Sequence, residues 1–229
     1  MPERNYITWT TMIQTLAFHQ RPQEAVNLFR QMELENSVQP HENTWKFAIA
    51  ACTSIATGGG REGEGRKKGL EEGRYIHQQA IRKGVATKEP IAVALIKMFA
   101  RCGSIEDARL VFEATGLNLS SSSSLHTKQK KEKRARLDAD EQDLWSTMQY
   151  EYAALNRLEE VVALFERMQR QGIEPNKFTL SLVLTACADM GTCLQQGRQA
   201  HSVIVRNHML QEAAEDAVLL GNALINMYR

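Results

Sequence analysis

The 229-residue chain has little net charge, few cysteines and no long hydrophobic run. Its formal net charge of +1 gives no overall attraction to nucleic acid or membrane, so polyanion binding would need a local basic face. No stretch approaches the roughly 18 apolar residues that a membrane span requires. The start, MPERNYITW, is too polar and too short for a secretory signal peptide. We therefore expect no membrane partner.

The cysteines form no recognisable pair in the sequence. There are four of them, without a CxxC spacing: Cys52, Cys102, Cys187 and Cys193. Cys52 and Cys187 occupy equivalent positions of an internal repeat. This pattern favours buried small side chains in a reducing compartment over disulfides or zinc, so we expect no metal site.

The chain contains an internal duplication. WTTMIQTLAFHQRPQEAVNLFRQM (Trp9–Met32) returns as WSTMQYEYAALNRLEEVVALFERM (Trp145–Met168), at an offset of 136 (145 minus 9). The motifs AC, GR and ALI-x-M recur downstream in the same order. A fixed internal period is typical of stacked supersecondary units, so function is expected on a surface shared by the stack rather than in one pocket.

The patterned stretches predict paired helices. Apolar residues follow the i, i+3, i+4, i+7 spacing in Leu158–Met168 and in Pro22–Met32, and a further helix is expected ahead of each. Gly103 is expected to end one helix, and Ser104 with Asp107 resembles a capping box that begins the next. Alternating strand patterns and NG or DG turns are missing, so the predicted fold is all-α.

Two segments break this pattern. Residues 57–69, TGGGREGEGRKKG, are rich in glycine and charge, and residues 120–141 combine a serine run, a basic run and an acidic patch. Neither can bury enough apolar surface to offset its ordering entropy, so both are expected to be flexible insertions, and residues 120–141 to be disordered. The basic run could contact phosphates or act as a nuclear address, but a solvated insertion is favoured. The glycine segment lacks GxxxxGK[ST], which argues against a phosphate cradle.

The motifs SVQPH, GIEPN, LTACADMG and ALIKMFARCGSIEDARLVF resemble the pentatricopeptide repeat family, in its arrangement of alternating P, L and S repeats. The related tetratricopeptide repeat would need W-x₂-L-G-x₂-Y, which is missing. The expected division is the end of an S repeat at 1–5, a P repeat at 6–41, an L repeat at 42–88 with the 57–69 insertion, an S repeat at 89–141 with the 120–141 insertion, a P repeat at 142–176, an L repeat at 177–217 and a truncated S repeat at 218–229. The sequence is thus expected to be a fragment of a longer protein.

This resemblance implies a right-handed α-solenoid of helix-turn-helix repeats. It further implies sequence-selective binding of single-stranded RNA, about one base per repeat, for RNA editing, modification or processing in a mitochondrion or chloroplast. Single-stranded RNA is then the expected partner, together with RNA-editing or processing proteins; no DNA and no cofactor are expected. The alternative is a helical scaffold for protein–protein interaction, which the balanced charge favours.

The resemblance assigns base reading to the fifth and last residues of a repeat. In 142–176 these are Ser146 and Asn176, a combination that implies adenine. The remaining assignments are Thr10 with His41, in which threonine leans to a purine and histidine departs from the usual residue; Asn222, which leans to a pyrimidine; and Ile7 and Phe178, at the second position, for packing on base faces. Equally, Asn176 could simply cap the next helix.

Catalytic motifs are missing from the sequence. Members of the family often end in a cytidine deaminase domain, whose zinc chemistry needs HxE and PCxxC, and neither occurs here. His77 and His201 recur at equivalent positions but lack a nearby ligand partner, so a packing role is favoured. We expect this chain to be a reader of RNA and not an enzyme.

Overall fold

The computed structural model describes residues 5–35, 38–58, 63–121, 130–211 and 214–229. Within these ranges all regular structure is helical, which confirms the prediction of an all-α fold of paired helices. The helices fall into two compact units that meet in sequence between Ser124 and Leu125, and each is described by itself. Of the described helices, none combines the length and apolar character that crossing a bilayer demands.

The first unit has three helical pairs. Its helices are α1 (Tyr6–Phe18), α2 (Pro22–Glu35), α3 (Glu42–Thr57), α4 (Glu64–Arg82), α5 (Glu89–Arg101) and α6 (Ile105–Ser121). Helices α1, α3 and α5 contact one another in order, and each also packs against the helix that follows it in sequence. The first helices of the pairs therefore form one continuous row.

The second unit repeats this plan. Its helices are α7 (Lys130–Ala154), α8 (Leu158–Gln171), α9 (Lys177–Met190), α10 (Leu194–Arg206) and α11 (Ala214–Tyr228), with a 3₁₀ turn at Met209–Gln211. Helices α7, α9 and α11 contact in order, while α8 packs on α7 and α9. The same row of first helices is present in both units.

The duplicated aromatic residues lie in the core. Trp9, Phe29 and Trp45 are all buried, and the rings of Phe29 and Trp45 meet edge to face with centroids 4.9 Å apart. Trp145 and Phe165, the equivalents of Trp9 and Phe29, are also buried. Because a buried aromatic side chain removes about 150–250 Å² from water, these few residues account for much of the cohesion between helices.

The glycine-rich segment is less irregular than its composition predicts. Helix α4 begins at Glu64, so residues 64–69 are helical, whereas residues 59–62 lie outside the described part of the chain. A Cβ at Gly69 would lie 2.8 Å from both the Cβ of Ala56 and the carbonyl oxygen of Cys52. The glycine at this position therefore permits α4 to approach α3 closely, which composition alone does not reveal.

The insertion at 120–141, predicted to be disordered, is helical at residues 120–121, the end of α6, and at residues 130–141. Residues 130–141 form the beginning of α7, while the serine-rich residues 122–129 lie outside the described ranges. Lys, Arg, Glu, Ala and Leu are strong helix formers, and each residue that extends an existing helix adds a backbone hydrogen bond without needing apolar burial. The side chains of the basic run lie outside the description.

A glycine–methionine contact recurs in both units. Gly73 of α4 faces the thioether of Met98 in α5, and Gly197 of α10 faces that of Met227 in α11. A Cβ at Gly197 would lie 2.8 Å from the Met227 sulfur, closer than atoms can approach. The glycine of the GR motif thus leaves room for a methionine from the first helix of the following pair; this contact is called the glycine–methionine socket.

Gly197→Ala is therefore expected to displace the flexible end of the Met227 side chain, at a cost that outweighs the helix propensity of alanine only slightly. The free energy of unfolding of the second unit should fall by about 0–1 kcal/mol. The matched control is Gly221→Ala in α11, where a Cβ would meet nothing within 4 Å. Because alanine is the better helix former, this control should stabilise by about 0.5–1 kcal/mol. Chemical denaturation of the two variants would test the contrast, and equal effects would contradict the socket.

A buried glutamine distinguishes the two copies. Gln149 is fully buried, at the position equivalent to Ile13 (149 minus 136). Its Nε2 donates to the Val161 carbonyl oxygen over 3.3 Å, while its Oε1 has no hydrogen-bond partner among the described residues. An unsatisfied buried acceptor destabilises the folded state, whereas the Val161 carbonyl keeps its place in the α8 hydrogen-bond ladder.

Gln149→Ile should raise the free energy of unfolding by about 1–3 kcal/mol, because it removes the unsatisfied acceptor. The reciprocal change, Ile13→Gln in the first unit, should be destabilising. Thermal unfolding followed by circular dichroism would measure both. A destabilising Gln149→Ile would show that the glutamine makes a net favourable contribution.

Candidate nucleic-acid interface

The hydroxyl of Thr10, the fifth residue of the first predicted P repeat, is already hydrogen-bonded within the protein. Thr10 Oγ1 donates to the Tyr6 carbonyl oxygen over 2.7 Å and lies 2.6 Å from Oγ1 of Thr44, on the next first helix. A hydroxyl carries a single proton, so Thr44 is the donor in this second bond. Thr10 therefore has no donor left for a base and offers acceptor capacity alone.

The equivalent residue of the second unit is held more loosely. Ser146 donates to the Asp143 carbonyl oxygen over 3.2 Å. Thr179, the equivalent of Thr44, is buried and its hydroxyl has no partner among the described residues. The hydroxyl pair of the first unit is thus not formed here. Ser146 is only 8% exposed, so a base reaches it from one direction at most.

Two of the predicted last residues of repeats, Asn5 and Asn176, cap a helix. Asn176 precedes α9, and its Oδ1 accepts a hydrogen bond of 2.8 Å from the Thr179 amide. Asn5 does the same before α1, where its Oδ1 accepts from the Thr8 amide over 3.0 Å. The capping role that the sequence left open is therefore present. No described residue accepts a hydrogen bond from Asn176 Nδ2, which leaves that donor for another partner.

His41 departs from this arrangement. It precedes α3 but makes no side-chain cap. Its ring instead lies beside that of Tyr6, with centroids 5.7 Å apart and planes inclined by 34°. Both side chains are exposed. The position at which Asn5 and Asn176 cap a helix thus carries an exposed aromatic ring here.

The residues predicted to pack on base faces are exposed. Ile7 on α1 is 55% exposed and Phe178 on α9 is 44% exposed. The Phe178 ring lies 5.9 Å from that of Tyr150 on α7, at an inclination of 32°. Asn222 is also exposed, on α11. The structure therefore brings Ser146, Asn176 and Phe178 to the junction of α7 and α9.

Sequence analysis missed two residues, one in each unit. Asn5 ends the first partial repeat, and the likeness of its position to that of Asn176 is the signal that could have found it. Tyr150 follows Ser146 by four residues, so the helical period alone places both on one face of α7. Sequence analysis offered the capping role of Asn176 but not the contact of Tyr150 with Phe178, because that contact depends on side-chain rotamers.

The recurring histidines pack against rings. His77 meets Phe99 edge to face with centroids 5.5 Å apart, and His201 meets Tyr228 at 5.7 Å, with Nδ1 3.0 Å from the tyrosine oxygen. Within the described ranges, no three His, Cys, Asp or Glu residues are close enough to hold a metal ion. These contacts give both histidines a packing role.

Three of the four thiols are buried and ionise poorly. Cys52, Cys102 and Cys187 are buried and Cys193 is partly buried, all unpaired. Burial raises the pKa of both Cys102 and Cys187 to about 11, so neither is a thiolate at neutral pH.

The partly buried His77 should make the stability of the first unit depend on pH. Burial lowers the pKa of His77 in the folded chain, an effect that the nearby Asp107 opposes. As pH falls below about 6.5, the unfolded chain binds a proton more readily than the folded chain, and stability decreases. Unfolding midpoints between pH 7 and pH 5 would test this. His77→Gln should flatten the decrease, and an unchanged pH profile would contradict the assignment.

The comparisons with known proteins agree with this geometry. The family model described as PPR repeat matches residues 7–37 and 144–173, which contain most of α1 with α2 and the second half of α7 with α8. The chain belongs to the pentatricopeptide repeat family. The two matches fall within the predicted P repeats. The finer division into P, L and S repeats remains a prediction.

Several pentatricopeptide repeat proteins of Arabidopsis thaliana are similar over nearly the whole chain. A relative named as mitochondrial is 28% identical over 228 residues, covering 100% of this chain and 30% of its own length. The chloroplastic protein CRR2 is 26% identical over 216 residues, covering 94% of this chain and 28% of its own length. The chain thus spans less than a third of the length of these relatives.

Proposed function

We propose that this pentatricopeptide repeat chain binds single-stranded RNA selectively, about one base per repeat, and serves RNA editing, modification or processing in a mitochondrion or chloroplast. The observation that carries the proposal is the Nδ2 donor of Asn176, which has no acceptor among the described residues and lies at the start of α9, near the exposed Phe178 in the chain. The organellar names of the relatives support the location. No catalytic step is assigned to this chain, and editing chemistry would come from a separate domain or protein.

The cap on α9 gives Asn176 a fixed orientation. Because Oδ1 is held by the Thr179 amide, the donor face of the side-chain amide is directed away from the helix. A fixed donor loses little rotamer freedom when it binds. Adenine presents an acceptor at N1 of its pairing edge, whereas guanine presents a donor there. An amide donor therefore selects adenine, in line with the assignment that the family resemblance implies.

Asn176→Asp should move the preferred base at this position from adenine to guanine. Aspartate caps a helix as well as asparagine does, so the fold is retained while the free donor becomes an acceptor. An edge contact discriminates bases by about 1–3 kcal/mol, so the ratio of affinities should change by roughly fivefold or more. Gel shifts at low salt on a randomised RNA pool, followed by sequencing, would measure the change.

Asn176→Ala separates capping from reading. It removes the cap as well as the donor and should cost about 1 kcal/mol of stability. It should weaken binding without creating a guanine preference. If Asn176→Asp binds RNA with an unaltered preference, the assignment of this residue as a reader is wrong. If the wild-type chain binds no RNA above a scrambled helical control, RNA binding itself is wrong.

A protein scaffold is the second candidate. The formal net charge of +1 gives the chain no overall attraction to a polyanion, which favours this alternative. A pull-down with the chain as bait would separate the two functions. Protein partners that survive ribonuclease treatment would favour the scaffold.

A further inference from the structure

Two cysteines lie across the turn that joins α9 to α10. Cys187 belongs to the last turn of α9 and is 3% exposed, whereas Cys193 immediately precedes α10 and is only partly buried. Gly191 ends α9 in the left-handed conformation, with a φ of 64°, and its amide donates to the Cys187 carbonyl oxygen over 3.1 Å. The chain therefore reverses between the two cysteines and brings the start of α10 back to the end of α9.

The two thiols are neighbours in the folded chain. Burial raises the pKa of Cys187 to about 11, and the closeness of the Cys193 thiol and a hydrogen bond with it act in the same direction. The Gly197 amide donates to the Cys187 thiol and, over 3.0 Å, to the Cys193 carbonyl oxygen. The Cys193 thiol does not cap α10, so the fold makes no use of it at the helix start.

The first unit shows the same approach of the chain without a second thiol. Through the GR motif, Gly69 is equivalent to Cys193 at an offset of 124 (193 minus 69), and Cys52 is equivalent to Cys187. A Cβ at Gly69 would lie 2.8 Å from the Cys52 carbonyl oxygen. The repeat plan therefore brings these two positions into contact, and the second unit has a cysteine at each of them.

We propose that Cys187 and Cys193 form a reversible disulfide across the α9–α10 turn, with a low-molecular-weight disulfide such as oxidised glutathione as the oxidant. The Cys193 thiolate attacks a sulfur of oxidised glutathione and releases one glutathione thiolate. The Cys187 thiolate then attacks Sγ of Cys193 in the mixed disulfide and releases the second. The chain loses two protons and two electrons, and one oxidised glutathione becomes two glutathione molecules.

The order of the two steps follows from burial. Partial exposure opens Cys193 to the oxidant, whereas burial protects Cys187 from direct attack and leaves it to resolve the mixed disulfide. Because the Cys187 pKa is raised, the second step is the slower one at neutral pH and should accelerate as pH increases. The closed bridge joins the end of α9 to the start of α10 and restricts the unfolded chain. The oxidised second unit should therefore have the higher unfolding midpoint.

The test places the full chain in glutathione redox buffers at about pH 8, then unfolds it, alkylates the remaining thiols and digests it with trypsin. Cys187 and Cys193 fall within one tryptic peptide, residues 178–198, because no Lys or Arg separates them. Mass spectrometry should find this peptide free of alkylation and lighter by two hydrogen atoms. The buried Cys52 and Cys102 should be alkylated. Dithiothreitol should restore both thiols of the pair.

Single substitutions separate the roles of the two thiols. Cys187→Ser removes the resolving thiol, so Cys193 should accumulate the mixed disulfide with glutathione. Cys193→Ser should leave Cys187 unmodified, because its burial excludes the oxidant. The matched control is Cys52→Ser, which removes a buried thiol from the equivalent position of the first unit and should leave oxidation of the pair unchanged.

Comparison with the unfolded chain shows whether the fold brings the thiols together. At one glutathione ratio, the proportion of disulfide to dithiol should be at least about tenfold higher in the native chain than in urea, because the bridge and the fold stabilise each other. A proportion that is no higher in the native chain would overturn the proposal. So would a Cys187→Ser variant that forms no mixed disulfide. None of these measurements involves RNA, so their outcome is independent of the function proposed above.

Discussion

The contact between the second helix of one repeat and the first helix of the next is the constraint on which the rest of the structure depends. Phe29 of α2 meets Trp45 of α3 edge to face at 4.9 Å, and both are fully buried. In the other unit Phe165 and Leu180 occupy the equivalent buried positions. An amphipathic helix pair cannot bury its apolar face alone, so this contact ties each repeat to its neighbour. It also fixes the row of first helices.

Once the row exists, its exposed face carries polar atoms that the fold uses only in part. Thr10 and Thr44 satisfy each other across two first helices, whereas Ser146 and Thr179 at the same positions do not. Asn176 gives one of its polar atoms to the helix cap and keeps the other. The proposed reading of bases depends on these remaining atoms. A repeat can therefore change its preference by a single substitution while its core is unaltered.

The fold was largely predictable from the sequence, whereas the candidate site remains a prediction. Helical periodicity and the duplication at an offset of 136 identified the helical pairs, because each helix has to bury an apolar side that includes Phe29 or Phe165. Composition was misleading at 130–141, where helix propensity prevails over the lack of apolar residues. The family resemblance proposed Ser146 and Asn176, and the capping of α9 by Asn176 was offered by sequence alone. The burial of Ser146 and the contact of Tyr150 with Phe178 depend on packing and rotamers that no pattern encodes.

The second helices show why such repeats tolerate divergence at 26–29% identity. Arg30 of α2 pairs with Glu72 of α4 at 2.5 Å, and its guanidinium lies 4.4 Å from the Tyr75 ring centroid. At the equivalent positions of the second unit, Glu166 accepts a hydrogen bond of 3.0 Å from Gln196. The ion pair of the first unit is replaced in the second by a hydrogen bond from the neutral Gln196 amide to the Glu166 carboxylate, so the donor lies on the opposite helix. Since a partly exposed pair contributes only about 0–1 kcal/mol, either chemistry suffices. What must persist is the apolar contact beneath, so the proposed RNA preference rests on a face that the core leaves free.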